Sequence, residues 1–186
     1  MFNRLSGSMR RSGNRSVGFE SKNRTSTQSL CARCADLGLT CCQRSQIFLT
    51  LGDIRRIRKA TGLDSGFFRR ATPSQPEYLA DPEVDPLWNR IFGLDGDRRI
   101  LASQSSGDCF FLGCAGCRLS LPIRPLVCRL YPYEYNPSGI TGVSGQYCPS
   151  PERDAPALLL ALLAMNREAA ETWRRILYLE IQEEFP

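Results

Sequence analysis

An α+β fold, in which short helices and a hairpin surround a metal-stapled cysteine cluster and a long C-terminal helix follows, is predicted by three features of this sequence. Nine Cys fall in two tight groups, and there is no His. Apolar residues come in short runs broken by Pro and Gly, the mark of short elements. Only the C-terminal stretch sustains an apolar stripe at helical spacing. The chain has 186 residues, 42% hydrophobic and 23% charged, which suits one domain with a modest core.

Residues 1–28 are poor in apolar side chains and rich in Ser, Asn, Gly and Arg, so a disordered basic tail is expected there. The tail also explains the net charge of +5. It carries Arg4, Arg10, Arg11, Arg15, Lys22 and Arg24 against Glu20 alone, and the other 18 basic and 18 acidic residues cancel. A neutral body gives no footprint for nucleic acid, and none is expected as a partner. The longest apolar run, Ala157 to Met165, is nine residues, against the roughly 20 that a spanning helix needs. No apolar segment of the kind that directs export follows the basic residues. No membrane partner and a cytoplasmic location are therefore expected; a protein partner stays open.

A cysteine-cluster domain is expected over residues 29–151. Ile47-Phe48-Leu49 reads as a buried strand. Thr50 and Asp53 form a capping box for a helix whose apolar face is Ile54, Ile57 and Ala60, and Gly62 supplies its stop. Asp64 or Ser65 then starts a second short helix with Phe67 and Phe68. The Pro-rich residues 72–86 read as a loop, Trp88 to Phe92 as a helical turn, and Arg99 to Ser103 as a strand. Pro125 to Tyr131 reads as a short helix. Tyr133-Glu134-Tyr135, Asn136-Pro137-Ser138-Gly139 and Ile140 to Val143 read as a hairpin. Over 152–186 one amphipathic helix, from about Pro156 to Ile181 and capped by Asp154, packs on the domain. Its stripe is Leu158, Leu162, Met165, Ala169, Trp173, Ile176 and Leu177.

The thiols carry the chemistry. Closely spaced Cys without an export signal point to metal before disulfides, and without His the site must be thiolate-rich. Cys31 and Cys34, like Cys114 and Cys117, have the Cys-x-x-Cys spacing that aims two thiolates at one metal. Adjacent Cys41 and Cys42, read as extended backbone, point to opposite sides and serve two centres or one centre and the core. Arg33, Arg44, Arg118, Arg124 and Arg129 lie beside the Cys, and cations lower thiol pKa. Asp53, Asp108 and Glu134 are the nearest acid or base candidates, with Asp53 better explained as a cap; no catalytic residue is assigned.

Two segments resemble a known family. Cys31-x-x-Cys34, Cys41-Cys42 and Ile47-Phe48-Leu49-Thr50 with Asp53 to Ile57 form one. Cys109-Phe110-Phe111-Leu112, Cys117 and Arg124-Pro125-Leu126-Val127-Cys128-Arg129-Leu130-Tyr131-Pro132 form the other. Together they resemble the YkgJ-type cysteine-cluster family, whose members are described as zinc- or iron-chelating. The resemblance implies eight metal-binding thiols: Cys31, Cys34, Cys41, Cys42, Cys109, Cys117, Cys128 and Cys148. Two departures stand out, the longer gap between Cys34 and Cys41 and the additional Cys114. A competing pattern, Cys109-x4-Cys114-x2-Cys117 with Cys148 downstream, has plant-type ferredoxin spacing and would exchange Cys128 for Cys114.

Either an iron–sulfur cluster or Zn2+ takes four thiolates per centre. The aromatic neighbours Phe110, Phe111, Tyr131 and Tyr133, and the Cys148-Pro149 pair, favour iron–sulfur. The expected function is metal binding in electron transfer or redox sensing. The alternatives are a zinc-stapled interaction module and, because the resemblance extends loosely to flagellin lysine methylases, a methyltransferase-like enzyme using S-adenosylmethionine. Nothing in the sequence supports methyl transfer independently.

Overall fold

The computed structural model describes residues 29–36, 38, 40–43, 45–75, 79 and 83–185, so the expected tail over 1–28 lies outside the described residues. Helix α1 (Leu30–Asp36) comes first, then a 3-10 turn over Cys41–Gln43 and helix α2 (Leu51–Thr61). Strand β1 (Phe68–Ala71) pairs antiparallel with β2 (Arg98–Leu101), Phe68 opposite Leu101 and Ala71 opposite Arg98. Strands β3 (Leu112–Gly113) and β4 (Gly116–Cys117) make a minimal hairpin. Helix α3 (Leu126–Leu130) leads into the hairpin of β5 (Tyr133–Asn136) and β6 (Gly139–Val143). Helices α4 (Pro156–Leu162) and α5 (Arg167–Glu184) end the chain. The result is a mixed helical and antiparallel fold with a long last helix. No helix among the described residues is long and apolar enough to cross a membrane.

Several expected elements are present. Thr50 caps α2, and the Asp53 side chain accepts from the Thr50 N–H in return; Gly62 closes the helix at φ 71°, a left-handed conformation that costs glycine little. The turn over Trp88–Ile91, strand β2, helix α3 and the β5–β6 hairpin also stand where the residues place them.

Three elements differ. Ile47 to Leu49 makes a single bridge, Phe48 opposite Ile100, because only Leu49 and Leu101 exchange ladder bonds with the other segment. Phe67 and Phe68 lead into strand β1 and not a helix: Phe67 is wholly buried against Phe111, which demands extended backbone along β2. The expected single C-terminal helix is two. Met165 N–H bonds Leu160 O at 2.9 Å and Ala164 N–H bonds Ala161 O at 3.0 Å, a stop motif with Ala164 at φ 52°. Asn166 then caps α5 through Ala169 N–H. Asp154 lies in a 3-10 turn and caps nothing. The break shifts the helical phase, so Leu158 is 49% exposed while Ala170, Arg174, Leu177, Tyr178 and Ile181 form the buried face of α5.

Helix α5 organises the main core, where Leu177 and Ile181 meet Phe48, Leu126 and Leu130. Its polar groups reach the other elements. Arg174 donates to Pro137 O at 2.5 Å in the hairpin turn, Glu171 accepts from Ile140 N–H, and the Tyr178 hydroxyl donates to Asp85. At the far end Glu180 receives Thr50 Oγ1 and Arg56, and Glu184 receives Leu51 N–H and Arg99.

Asp53 joins three elements. Its carboxylate is wholly buried and accepts from Thr50 N–H, from Arg56 Nη2 at 2.6 Å and from Leu126 N–H at 3.1 Å, the first residue of α3. Removing it strands buried donors, so Asp53→Ala is expected to cost about 3 kcal/mol in urea unfolding, against about 1 kcal/mol for loss of an ordinary cap. A cost at or below that of a cap would show that the junction between α2 and α3 does not depend on this carboxylate. Ala164→Gly should act in the opposite sense and stabilise by about 1 kcal/mol, because a Cβ in left-handed backbone is strained.

Candidate metal centre

A cavity of about 660 Å³ lies between α1, the β3–β4 hairpin, α3 and the α4–α5 junction. Cys31, Cys34, Cys41, Cys42, Cys109, Cys117, Cys128 and Cys148 all line it. Cys114 does not. It is exposed in the turn between β3 and β4 and borders a smaller hollow beside Gln43 and Asp108.

Each thiol is placed by its local structure. Cys31 and Cys34 are three apart on α1 and so share a face of that helix. Cys41 and Cys42 occupy the 3-10 turn, not extended backbone; such a turn rotates neighbouring side chains by about 120°. Cys117 ends β4, whose Gly116 (φ 94°) lets the backbone come against α1. A Cβ there would stand 3.4 Å from Ala32 N and 3.5 Å from the Cys31 carbonyl carbon. Cys128 sits on α3, which the Asp53 carboxylate holds at its first turn. Cys148 N–H bonds Gly145 O at 2.7 Å in the turn that follows the β5–β6 hairpin.

Apolar and aromatic side chains make most of the wall, among them Phe48, Trp88, Phe111, Tyr131, Tyr133 and Leu163. Arg98 and Arg124 are the charged residues on it; no Asp or Glu is among the described wall residues. Of the acid and base candidates, Asp53 is a cap and junction. Asp108 is bonded to Gln43 and Ser106 at the surface, and Glu134 is exposed on β5. None lines the cavity.

Burial sets the thiol chemistry. It pushes the Cys109 thiol up from the ordinary 9.0 to about 11. Burial also raises Cys31, Cys34, Cys117 and, most strongly, Cys128. Cys42 is raised first by its hydrogen bond with Cys41 and then by burial. Arg124 pulls Cys31, Cys42 and Cys117 down, and Arg33 does so for Cys34, but desolvation wins in each case. The expected lowering by neighbouring arginines is thus present at Arg33 and Arg124 but is outweighed by burial. Arg118 is spent on Phe110, bonding its carbonyl and stacking near its ring, and Arg129 donates to Arg124 O. Arg44 lies outside the described residues.

Among the described residues no three Cys, Asp or Glu converge tightly enough to hold a metal ion. The thiols stand around the cavity wall instead. That donor set, eight soft sulfurs with two cations and no carboxylate, is of the kind that a thiolate-ligated metal group takes. Sequence reasoning missed Arg98, Trp88 and the α4–α5 junction as wall residues. Arg98 had no nearby Cys to mark it, and Leu162 to Met165 read as uninterrupted helix. Set against family models, curated proteins and solved structures, the chain matches none of them.

The raised thiols give a pH dependence with a definite sign. Between pH 9 and about 11 an unfolded chain has ionised Cys109 while the folded, metal-free chain has not, so the folded state binds more protons. Stability of the metal-free protein should therefore fall as pH rises through that window. A melting temperature that stays level or climbs from pH 9 to 11 would contradict it.

Proposed function

We propose that this chain is a metal-binding protein that holds an iron–sulfur group through its eight cavity thiols and works in electron transfer or redox sensing. The observation that carries the reading is the sorting of the nine cysteines: the eight that resemble the YkgJ-type set border one cavity, and the ninth lies outside it. Two further features support it. The thiols line the wall from several separate elements, and a group containing its own bridging sulfide spans a wider ligand set than a bare Zn2+, whose ligands must all lie about 2.3 Å from one point. The wall is mostly apolar, and burial and hydrogen bonding to sulfur tune the potential of such a group.

The chain's own residues would do three things. The eight thiols would lose their protons on binding and act as ligands. Arg124, already electrostatically coupled to Cys31, Cys42 and Cys117, would offset the thiolate charge. Phe111, Tyr131, Tyr133 and Leu163 would limit access of water. When bound, the group supplies one-electron chemistry.

The test is anaerobic purification followed by an absorption spectrum and analysis for iron, acid-labile sulfide and zinc. A brown protein with sulfide is expected. A colourless protein with stoichiometric zinc would replace the reading with a zinc-stapled module. Cys128→Ser is expected to lower metal content and Cys114→Ser to leave it at the parent level; the reverse pattern would restore the ferredoxin-like ligand set.

A further inference from the structure

The cavity wall is not uniform. Cys42, Cys109 and Cys117 pack with Leu49, Leu101, Phe111 and Leu119 in one apolar cluster. Cys34 and Cys148 pack with Leu30, Leu159 and Tyr131 in another. The two clusters come from different parts of the fold, the first from α2, β2 and the β3–β4 hairpin, the second from α1, α4 and the turn after β6.

Resting on the metal-binding reading above, we propose that the eight thiols form two four-thiol centres. The first is Cys42, Cys109, Cys117 and Cys128, and the second is Cys31, Cys34, Cys41 and Cys148, with the Cys41–Cys42 turn as the seam between them.

The remaining members are assigned by their neighbours. Cys128, on α3, feels Cys42, Cys109 and Cys117 together, and Cys109 and Cys117 each feel Cys42. Every pair among these four is electrostatically coupled. Cys34 faces Cys148. The buried Tyr131 hydroxyl is electrostatically coupled to Cys41, Cys148 and Cys31, three members of the second set. Cys31 borders both sets, being near Cys34 on its own helix and near Cys42 and Cys117 across the cavity. Because four mutual thiols already complete the first centre, Cys31 completes the second. Cys41 and Cys42 bond each other through their thiols; Cys42 is coupled in addition to Cys109, Cys117 and Cys128 and to Cys31 of the second set, and Cys41 to Tyr131.

A tetrathiolate centre, whether iron–sulfur or zinc, takes four sulfurs, so eight make two without remainder. The seam has a physical basis. In a 3-10 turn successive side chains leave the axis about 120° apart, which lets vicinal thiols enter adjoining sites that one metal could not share comfortably.

The test uses the full-length chain, reconstituted anaerobically with ferrous iron and sulfide and, in parallel, with zinc alone, and counts bound metal per chain. Cys109→Ser and Cys117→Ser remove ligands from the first centre, and Cys34→Ser and Cys148→Ser from the second. Each single variant should retain about half of the parent's metal, a four-sulfur centre being lost as a unit. The pair Cys109→Ser with Cys117→Ser should lose no more than either alone, whereas Cys109→Ser with Cys148→Ser should lose nearly all. Single variants that lose everything, or pairs within one set that lose more than either single, would overturn the partition while leaving metal binding intact. A parent that takes up neither iron nor zinc would overturn both readings.

A measurement on the unaltered chain guards against variants that fail to fold. With metal at half saturation, alkylation followed by mass spectrometry should show the thiols of a set protected together. Joint protection of Cys34 with Cys109 ahead of Cys148 would sink the assignment.

Discussion

The buried Asp53 carboxylate is the interaction on which the arrangement of the helices depends. It closes the capping box of α2, holds Arg56 and receives the first N–H of α3, all without exposure to water. Arg56 continues to Glu180 on α5 at 2.5 Å. One charge thus connects the helix before the cavity, the helix that carries Cys128 and the helix that backs the main core. A buried carboxylate is tolerated only where its donors are complete, and its raised pKa, set by burial against the pull of Arg56, shows how close that balance is. The position of Cys128 is therefore decided by hydrogen bonds on the far side of α3, away from the cavity.

The cavity shows the opposite solution to the same problem. Cys31, Cys109 and Cys128 are buried without enough cationic partners to ionise them, so the protein alone keeps them neutral. Sulfur tolerates that state, because a neutral thiol behaves as a small apolar group and packs with Leu and Phe. On the proposed reading a metal centre would supply the positive charge that burial withholds, and the thiols would lose their protons as metal enters. The two arginines on the wall are too few to create thiolates unaided.

Local signals in the sequence were strong where the structure is local. The Thr50–Asp53 capping box, the Gly62 stop, the Asn136 to Gly139 turn and the short helix around Cys128 each depend on a few neighbouring residues, and each is present. What failed to show was set by distant contacts or by an atypical residue. Phe68 belongs to a strand because β2 lies beside it, which no window around Phe68 reveals. The helix break went unread because Ala164 occupies a left-handed position that usually calls for Gly or Asn. The available hint was Asn166, a good cap in the middle of an apolar stripe. For the cavity, spacing grouped the cysteines along the chain but did not show that both groups border one cavity, because that depends on how α1 and the turn after β6 meet.

That meeting is weakly supported by packing. The cluster that joins α1 to α4 has Leu30, Cys34, Cys148 and Leu159 as its buried members, and two of the four are proposed ligands. The helices it unites come from opposite ends of the described chain, so bringing them together costs chain entropy that few apolar contacts can offset. A crosslink through metal acts most strongly on such long closures. The stop at Ala164 fits the same logic. A continuous helix would carry Leu162 to Met165 past the cavity, whereas the broken one turns them onto its wall and lets α5 follow the main core. Strain at one residue is thus exchanged for closure of the cavity.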